Sequence, residues 1–463
     1  MSFNIQTLIY NNSPAYIQNI LCSFQGKKLL RDRFNDKFEE YLDNLNKTNH
    51  FSFEQINQYK EEQLYRILEY SYNNVPFYKD SFKKLKLTPY DFKGINDIRK
   101  FPILTKEDIR ENYNKMVSIC FDKRNLIANH TSGSSGKALD FYQTKDSLPY
   151  IWAIWWRFRN RFGVKFGDKH LNCTGKLVVP IGMKNPPYWR INRPMNQWLL
   201  NMQHLSLDKI EAIASMINKE SFIYFSGYPS IIYALASLIV EKGLKIYNPP
   251  QFIFTGAEKM YDNQKEVIEI AFPGVVITDH YGTSEGVINA SKCCHGVYHE
   301  DFELGHLECE NPHYISENMY EGDILGTCFH NYGMPFIRYK IGDSAVWSTE
   351  ECSCGLSSQV IKDIQGRSED YVITPEGLQL KRFDYLFKNT IGIKECQVLQ
   401  RELGHVVFRI VCRDNYNSRT EKEIINGVKE IISPTIKCHF EYVKEIERTA
   451  AGKFKAVVSE LKK

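Results

Sequence analysis

The residues best equipped for chemistry form one loop, His130-Thr131-Ser132-Gly133-Ser134-Ser135-Gly136-Lys137, in which hydroxyls and glycines end in a cation. Glycines let backbone N–H groups approach an anion with no Cβ in the way, hydroxyls add donors and the lysine adds charge, so the composition suits a phosphate cradle. It is not a Walker A loop. That motif needs a glycine five residues before the one preceding the lysine and a Ser or Thr after it, and those positions hold Thr131 and Ala138. The same residues also make an ordinary flexible turn, so the loop gains meaning only alongside the segments downstream of it in the chain.

Four more segments come after it in order: Tyr281-Gly282-Thr283-Ser284-Glu285, Ile337-Arg338-Tyr339-Lys340-Ile341-Gly342-Asp343, Gly366-Arg367-Ser368-Glu369-Asp370 and Arg448-Thr449-Ala450-Ala451-Gly452-Lys453-Phe454. Together with the 130–137 loop they resemble the signature set of adenylate-forming enzymes, the superfamily of acyl-CoA synthetases and peptide-synthetase adenylation domains. Within it the chain is similar to the phenylacetate-CoA ligase branch and its relatives encoded with capsular polysaccharide genes. The resemblance runs from about Leu64 to the C-terminus, and Ser13-Pro14-Ala15-Tyr16-Ile17-Gln18-Asn19 with Ser23-Phe24-Gln25-Gly26 looks like the N-terminal extension of the capsule-associated relatives.

The resemblance implies an ATP-dependent carboxylate ligase that forms an acyl-adenylate and releases pyrophosphate. Thr131, Ser132, Gly133, Ser134, Ser135, Gly136 and Lys137 would cradle the β- and γ-phosphates, Ser284 would meet the α-phosphate and Glu285 would hold Mg2+, a hard cation that needs few protein oxygens. Asp343 would accept both ribose hydroxyls, which suits the two oxygens of one carboxylate, and Arg367 would reach the ribose or phosphate region. Lys453 would offset charge developing on the α-phosphate and the acid. Gly256, Ala257, Tyr281, Gly282 and Thr283 would line the nucleotide and acyl pocket, together with the loop Ser226-Gly227-Tyr228. By the same resemblance a small C-terminal domain swings between two half-reactions about Glu369, where the family more often has Asp or Lys.

A Cys/His set adds a second kind of site. Cys293, His299, Cys352 and Cys354 match the branch and supply three thiolates and an imidazole, a donor set for tetrahedral zinc; with all four positions filled by protein, the expected role is structural. Cys294 and His295 stand by as spares, and ordinary buried thiols are the alternative.

Composition fits an ordinary globular protein and excludes some classes. The net charge of +4, from 59 basic and 55 acidic side chains, points to neither nucleic acid nor a charged membrane surface as a general partner. The first residues have neither a basic region before an apolar run nor a span long enough for a bilayer, so the expected location is the cytoplasm. Twelve cysteines in such a chain are expected to be free or metal-bound. Expected partners are a small carboxylic acid and either CoA or an amine or sugar acceptor, with a homodimer allowed. A non-catalytic nucleotide-binding homologue is the competing class; intact Lys137, Glu285, Asp343 and Lys453 speak against it.

The elements that must position these residues can be read from pattern. Apolar side chains from Phe53 to Tyr72 recur at helical spacing up to Pro76, and Thr105 caps a short helix at Lys106. Phe141-Tyr142 reads as a strand, 147–162 and 207–219 as helices, and 171–193 as irregular. Then 221–225, 231–242, 252–254 and 275–278 alternate as strand, helix, strand and strand, the grammar of a parallel sheet with covering helices, whose ligands bind beyond the C-terminal strand ends. Paired strands about Gly404, a helix at 420–433 and a strand at 437–446 form a smaller α+β unit. The expected fold is α/β: a large N-terminal adenylating domain over 1–366 (1–110 helical) with mostly parallel sheets, and a small mobile α+β C-terminal lid over 367–463.

Overall fold

The computed structural model describes residues 5–131, 139–174, 177–258, 260, 262–365, 372–375, 379–380, 393–412, 416–431, 433–444, 446 and 457–461. Helices α1 (Ile5–Asn12), α2 (Ala15–Arg33), α3 (Asp36–Thr48), α4 (Phe53–Asn74), α5 (Pro76–Lys84) and α6 (Lys106–Glu111) open the chain. The α4 start is a capping box in which Ser52 and Gln55 satisfy each other's backbone N–H. Its Ile56, Leu64, Ile67 and Leu68 are buried, and it stops where Pro76 begins α5. Thr105 caps α6, with Asp108 returning the bond.

Strands β1 (Ile127–His130) and β2 (Asp140–Gln143) form an antiparallel hairpin that brackets the Ser/Gly loop, with His130 opposite Asp140. Helix α7 (Ser147–Asn160) comes next, then β3 (His170–Thr174), β4 (Trp189–Asn192) and β5 (Gln197–Asn201). Here the expectation of an irregular 171–193 fails, because β3 and β4 flank the loop. Both strands are four or five residues long and carry polar side chains whose partners lie elsewhere in the fold. Buried Arg190, for example, donates from Nε to Gln18 Oε1 on α2, so no alternation survives in the sequence.

The segments α8 (Ile210–Glu220), β6 (Tyr224–Gly227), α9 (Pro229–Glu241), β7 (Phe252–Gly256), α10 (Asp262–Ala271) and β8 (Val276–Gly282) realise the strand and helix grammar. They are followed by β9 (Asn289–Lys292), β10 (Tyr298–Glu300), β11 (Gly305–Ser316), β12 (Met319–Cys328), β13 (Tyr339–Ser348) and β14 (Val360–Gln365). All except the β1–β2 hairpin join one sheet in the order β11-β12-β13-β14-β10-β9-β8-β7-β6-β3-β5-β4. The run β8-β7-β6-β3-β5 is parallel, while β9 to β14 extend it with antiparallel hairpins. The α/β class is the expected one, and the antiparallel half is an addition.

The last described elements are β15 (Val372–Ile373), β16 (Gln379–Leu380), β17 (Ile393–Glu402), β18 (His405–Cys412), α11 (Ser418–Ile431), β19 (Lys437–Tyr442) and β20 (Val457–Ser459). The sheet order β19-β18-β17-β20 matches the paired strands read about Gly404. Val398, Phe408, Ile410, Ile424 and Val428 give this unit its own core.

At the far edge of the large sheet, α2 covers β4. Asn19 Oδ1 accepts Ile191 N at 2.9 Å and Ser23 Oγ accepts Arg193 N at 3.2 Å. Two side chains one helical turn apart thus satisfy alternate amides of an edge strand that would otherwise be open to pairing. A Cβ on Gly26 would lie 1.9 Å from Asn192 Oδ1, which is why the helix can approach this closely.

Candidate active site

Parallel strands β6, β7 and β8 end together at Gly227, Gly256 and Gly282. The floor is tight at Gly256, where a Cβ would meet His280 Cε1 at 2.6 Å, and Ala257 follows in the left-handed region at φ 67°. Burial pushes the His280 imidazole below its ordinary value, so a neutral ring donates from Nδ1 to Thr255 O at 3.0 Å, with Trp155 5.2 Å away.

The residues from Tyr281 to Glu285 leave β8 in a turn closed by Gly286 N to Thr283 O at 3.0 Å and Val287 N to Thr283 Oγ1 at 3.1 Å. Ser284 is exposed at its tip, whereas Glu285 is buried. Tyr339 Oη donates to Glu285 Oε1 at 2.8 Å, and Tyr281 Oη donates to Asp343 Oδ2 at 2.8 Å. Tyr339 and Asp343 both stand on β13, so two phenols tie that strand to the turn, one from each side.

The hairpin carrying the Ser/Gly loop is fastened to the same turn. Gln143 Nε2 donates to Glu285 O at 3.1 Å, and Asn129 Nδ2 orients Gln143 by donating to its Oε1 at 2.7 Å. Thr131 closes the hairpin: its N–H donates to Leu139 O and its hydroxyl oxygen accepts Leu139 N, both at 2.9 Å. Of the residues singled out by sequence, Thr131, Gly256, Ala257, Tyr281, Gly282, Thr283, Ser284, Glu285 and Asp343 are described; Ser132, Gly133, Ser134, Ser135, Gly136, Lys137, Arg367 and Lys453 lie outside the described residues. Sequence reasoning assigned no role to Asn129, Gln143 or Tyr339. Tyr339 stood inside a quoted motif, but its partner is set by how β13 crosses the turn.

The four metal-ligand candidates converge apart from this turn. Cys293 and His299 flank the β9–β10 turn, and Cys352 and Cys354 lie between β13 and β14. Their ligand atoms all fall within 4.8 Å of one another. Cys293 Sγ lies 3.8 Å from Cys352 Sγ, close to the edge of about 3.8 Å expected of a tetrahedron with ~2.3 Å zinc–sulfur bonds. His299 Nδ1 donates to Ser358 O at 3.2 Å, which leaves Nε2 facing Cys354 Sγ at 3.3 Å. Burial alone would raise the Cys293 thiol, but bonds from His299 and the amides of His295 and Val297 hold it below its ordinary value. Of the two spares, Cys294 is exposed and His295 Nδ1 faces Ser353 Oγ at 3.0 Å; neither belongs to the quartet.

An open α/β sheet with a helix-covered parallel centre, carboxylates gathered past its strand ends and a separate small C-terminal sheet is the architecture of an adenylate-forming ligase. Comparison with known proteins agrees. Residues 372–460 match the family model "CapK C-terminal domain". Protein CapK of Staphylococcus aureus is 28% identical over 461 residues, covering 98% of this chain and 99% of that protein. A phenylacetate-coenzyme A ligase of Pseudomonas putida is 30% identical over 337 residues, 70% of this chain and 73% of its own. Among solved structures, 2-hydroxyisobutyryl-CoA ligase in complex with 2-HIB-AMP and CoA superposes with a TM-score of 0.57 at 16% identity, covering 87% of this chain and 90% of that one. The chain belongs to the phenylacetate-CoA ligase and CapK branch of the adenylate-forming enzymes, and is with them an AMP-forming, ATP-dependent carboxylate ligase.

Proposed function

We propose that the chain joins a small carboxylic acid to the adenylyl group of ATP and then passes the acyl group to an amine on a sugar, in capsule or other polysaccharide synthesis. In the first step a carboxylate oxygen attacks the α-phosphorus, and the bond from that phosphorus to the bridging oxygen breaks, so that pyrophosphate leaves. The single observation that carries the reading is the convergence of Glu285 and Asp343 past the end of β8, each fixed by a phenol. The capsule assignment draws on similarity to CapK across nearly the whole chain.

In this reading Asp343 takes the ribose hydroxyls, Ser284 the α-phosphate, Thr131 and the 132–137 stretch the outer phosphates, and Lys453 and Arg367 the developing charge. Glu285 suits a Mg2+ ligand: it is buried, Tyr339 uses Oε1, and among the described residues nothing donates to Oε2. Bound there, Mg2+ supplies positive charge to the phosphates. The unit after residue 366 acts as the lid of the 1–366 domain. Cys293, His299, Cys352 and Cys354 hold a structural zinc, their donor atoms fitting three thiolates and one imidazole about one ion.

A second reading, with CoA as acceptor, rests on the similarity to phenylacetate-coenzyme A ligases. Acid-dependent exchange of labelled pyrophosphate into ATP over a panel of acids tests the shared first step. Release of AMP on adding either CoA or an amino sugar then separates the acceptors. Failure of every acid to support exchange, in protein that binds ATP, would defeat both readings.

A further inference from the structure

Helix α2 meets the fold with one side only. Gln18 and Gly26 are buried and Asn19 and Ser23 bond β4, whereas Tyr16, Ile20, Leu21 and Phe24 are 66, 51, 40 and 64% exposed. At about 100° per residue these four side chains share one arc roughly 140° wide, and Lys27, Lys28 and Arg31 continue the same arc toward the helix C-terminus. The only acid in α2 is Asp32, which pairs with Arg31 at 3.1 Å. Lys27, Lys28 and the nearby Arg193 make no ion pair among the described residues, and all three are exposed. A groove of about 350 Å3 beside the arc has Tyr16, Phe24, Lys27 and Arg193 in its lining.

We propose that this arc docks the protein on an anionic lipid surface, with a headgroup phosphate taken between Lys27 and Arg193. A helix that lies in a membrane interface buries aliphatic and aromatic side chains at the headgroup and acyl boundary and keeps lysines and arginines at phosphate level. The arc has that composition, with its apolar anchors in the first three turns and its cations beyond them. A protein partner needs hydrogen-bonding side chains around an apolar centre, and apart from its cations the arc offers only the Tyr16 hydroxyl. The chain's near-neutral overall charge makes the attraction local to this edge, and it is screened by salt.

The test is sedimentation of the full chain with vesicles of equal phosphatidylglycerol and phosphatidylcholine, against phosphatidylcholine alone, at low salt. Binding to the anionic vesicles only, released by high salt, is the expected result. Lys27→Gln with Lys28→Gln weakens it by about 25-fold, at roughly fivefold per cation; Tyr16→Ser with Phe24→Ser abolishes it, and neither pair of changes alters the thermal midpoint. Three results would overturn the assignment: no binding to anionic vesicles, binding undiminished in both variants, or a dimer in solution that Tyr16→Ser with Phe24→Ser turns into a monomer. The last would give the arc to a second copy of the chain.

Discussion

Tyr281 donates its phenolic hydrogen to Asp343 across 2.8 Å, and four residues along each segment the roles reverse, with Tyr339 donating to Glu285. The turn after β8 and strand β13 therefore each contribute one carboxylate and one phenol. Two acids assigned to opposite ends of a nucleotide are held by one small frame, so each can be tested through its own partner.

Asp343→Ala lowers affinity for ATP by roughly tenfold or more, the scale of losing hydrogen bonds to a charged group. The informative comparison is with 2′,3′-dideoxy-ATP, which binds the native protein more weakly than ATP but binds the variant equally well. A variant that still discriminates between the two nucleotides would remove Asp343 from the ribose.

Tyr339→Phe leaves Glu285 free to turn. Calorimetric titration of ATP over a range of Mg2+ concentrations shows a several-fold rise in the Mg2+ needed, and Glu285→Gln shows a larger one. If the phenol acts through the carboxylate, the double variant behaves as Glu285→Gln alone. Additive shifts would mean that Tyr339 works by another route, and no shift in Glu285→Gln would separate that residue from the metal.

Much of this was legible in the residues. The β6–β8 grammar needed only spacing and composition, because glycine turns and buried parallel strands leave local marks, whereas the ordered motifs and the choice of Cys293, His299, Cys352 and Cys354 came from resemblance to a family. Gln143 and Tyr339 left none, since a glutamine or tyrosine in a strand reads the same whether it faces solvent or another residue's carbonyl or carboxylate. The short strand β4 was hidden for a related reason: buried Arg190 and Asn192 break the apolar period, and the partners of Arg190 and of the Ile191 amide are Gln18 and Asn19 on α2, far away in sequence. The antiparallel half of the sheet lay in a stretch whose motifs stand out more strongly than its strands.

Protein purified without chelator should contain about one zinc per chain. Cys354→Ser lowers the zinc content and the thermal midpoint together, because the remaining thiols lose the charge they were arranged around. Full stability in metal-free protein would reduce the quartet to ordinary thiols.

Acid should loosen the large domain through its neutral buried histidines. Burial pulls His170 down to about 4, with Arg159 adding to the effect against the hydrogen bond to Asp168 O; burial and then Lys209 do the same to His204. An unfolded histidine titrates near 6.5, so between about 6.5 and 4 the unfolded chain holds more protons. The stability from neutral burial is complete above 6.5 and is lost as pH falls toward 4, at about 1.4 kcal/mol per pH unit for each ring. The thermal midpoint is therefore lower at pH 5 than at pH 7, and His170→Gln flattens the dependence. An unchanged midpoint over that range would contradict these neutral buried rings.

The most direct measurement uses an accepted acid labelled with 18O in both carboxyl oxygens. Attack of the carboxylate on the α-phosphorus predicts AMP carrying one 18O after the acyl group has moved on. Unlabelled AMP, or ADP as the nucleotide product, would contradict an acyl-adenylate and with it the central account.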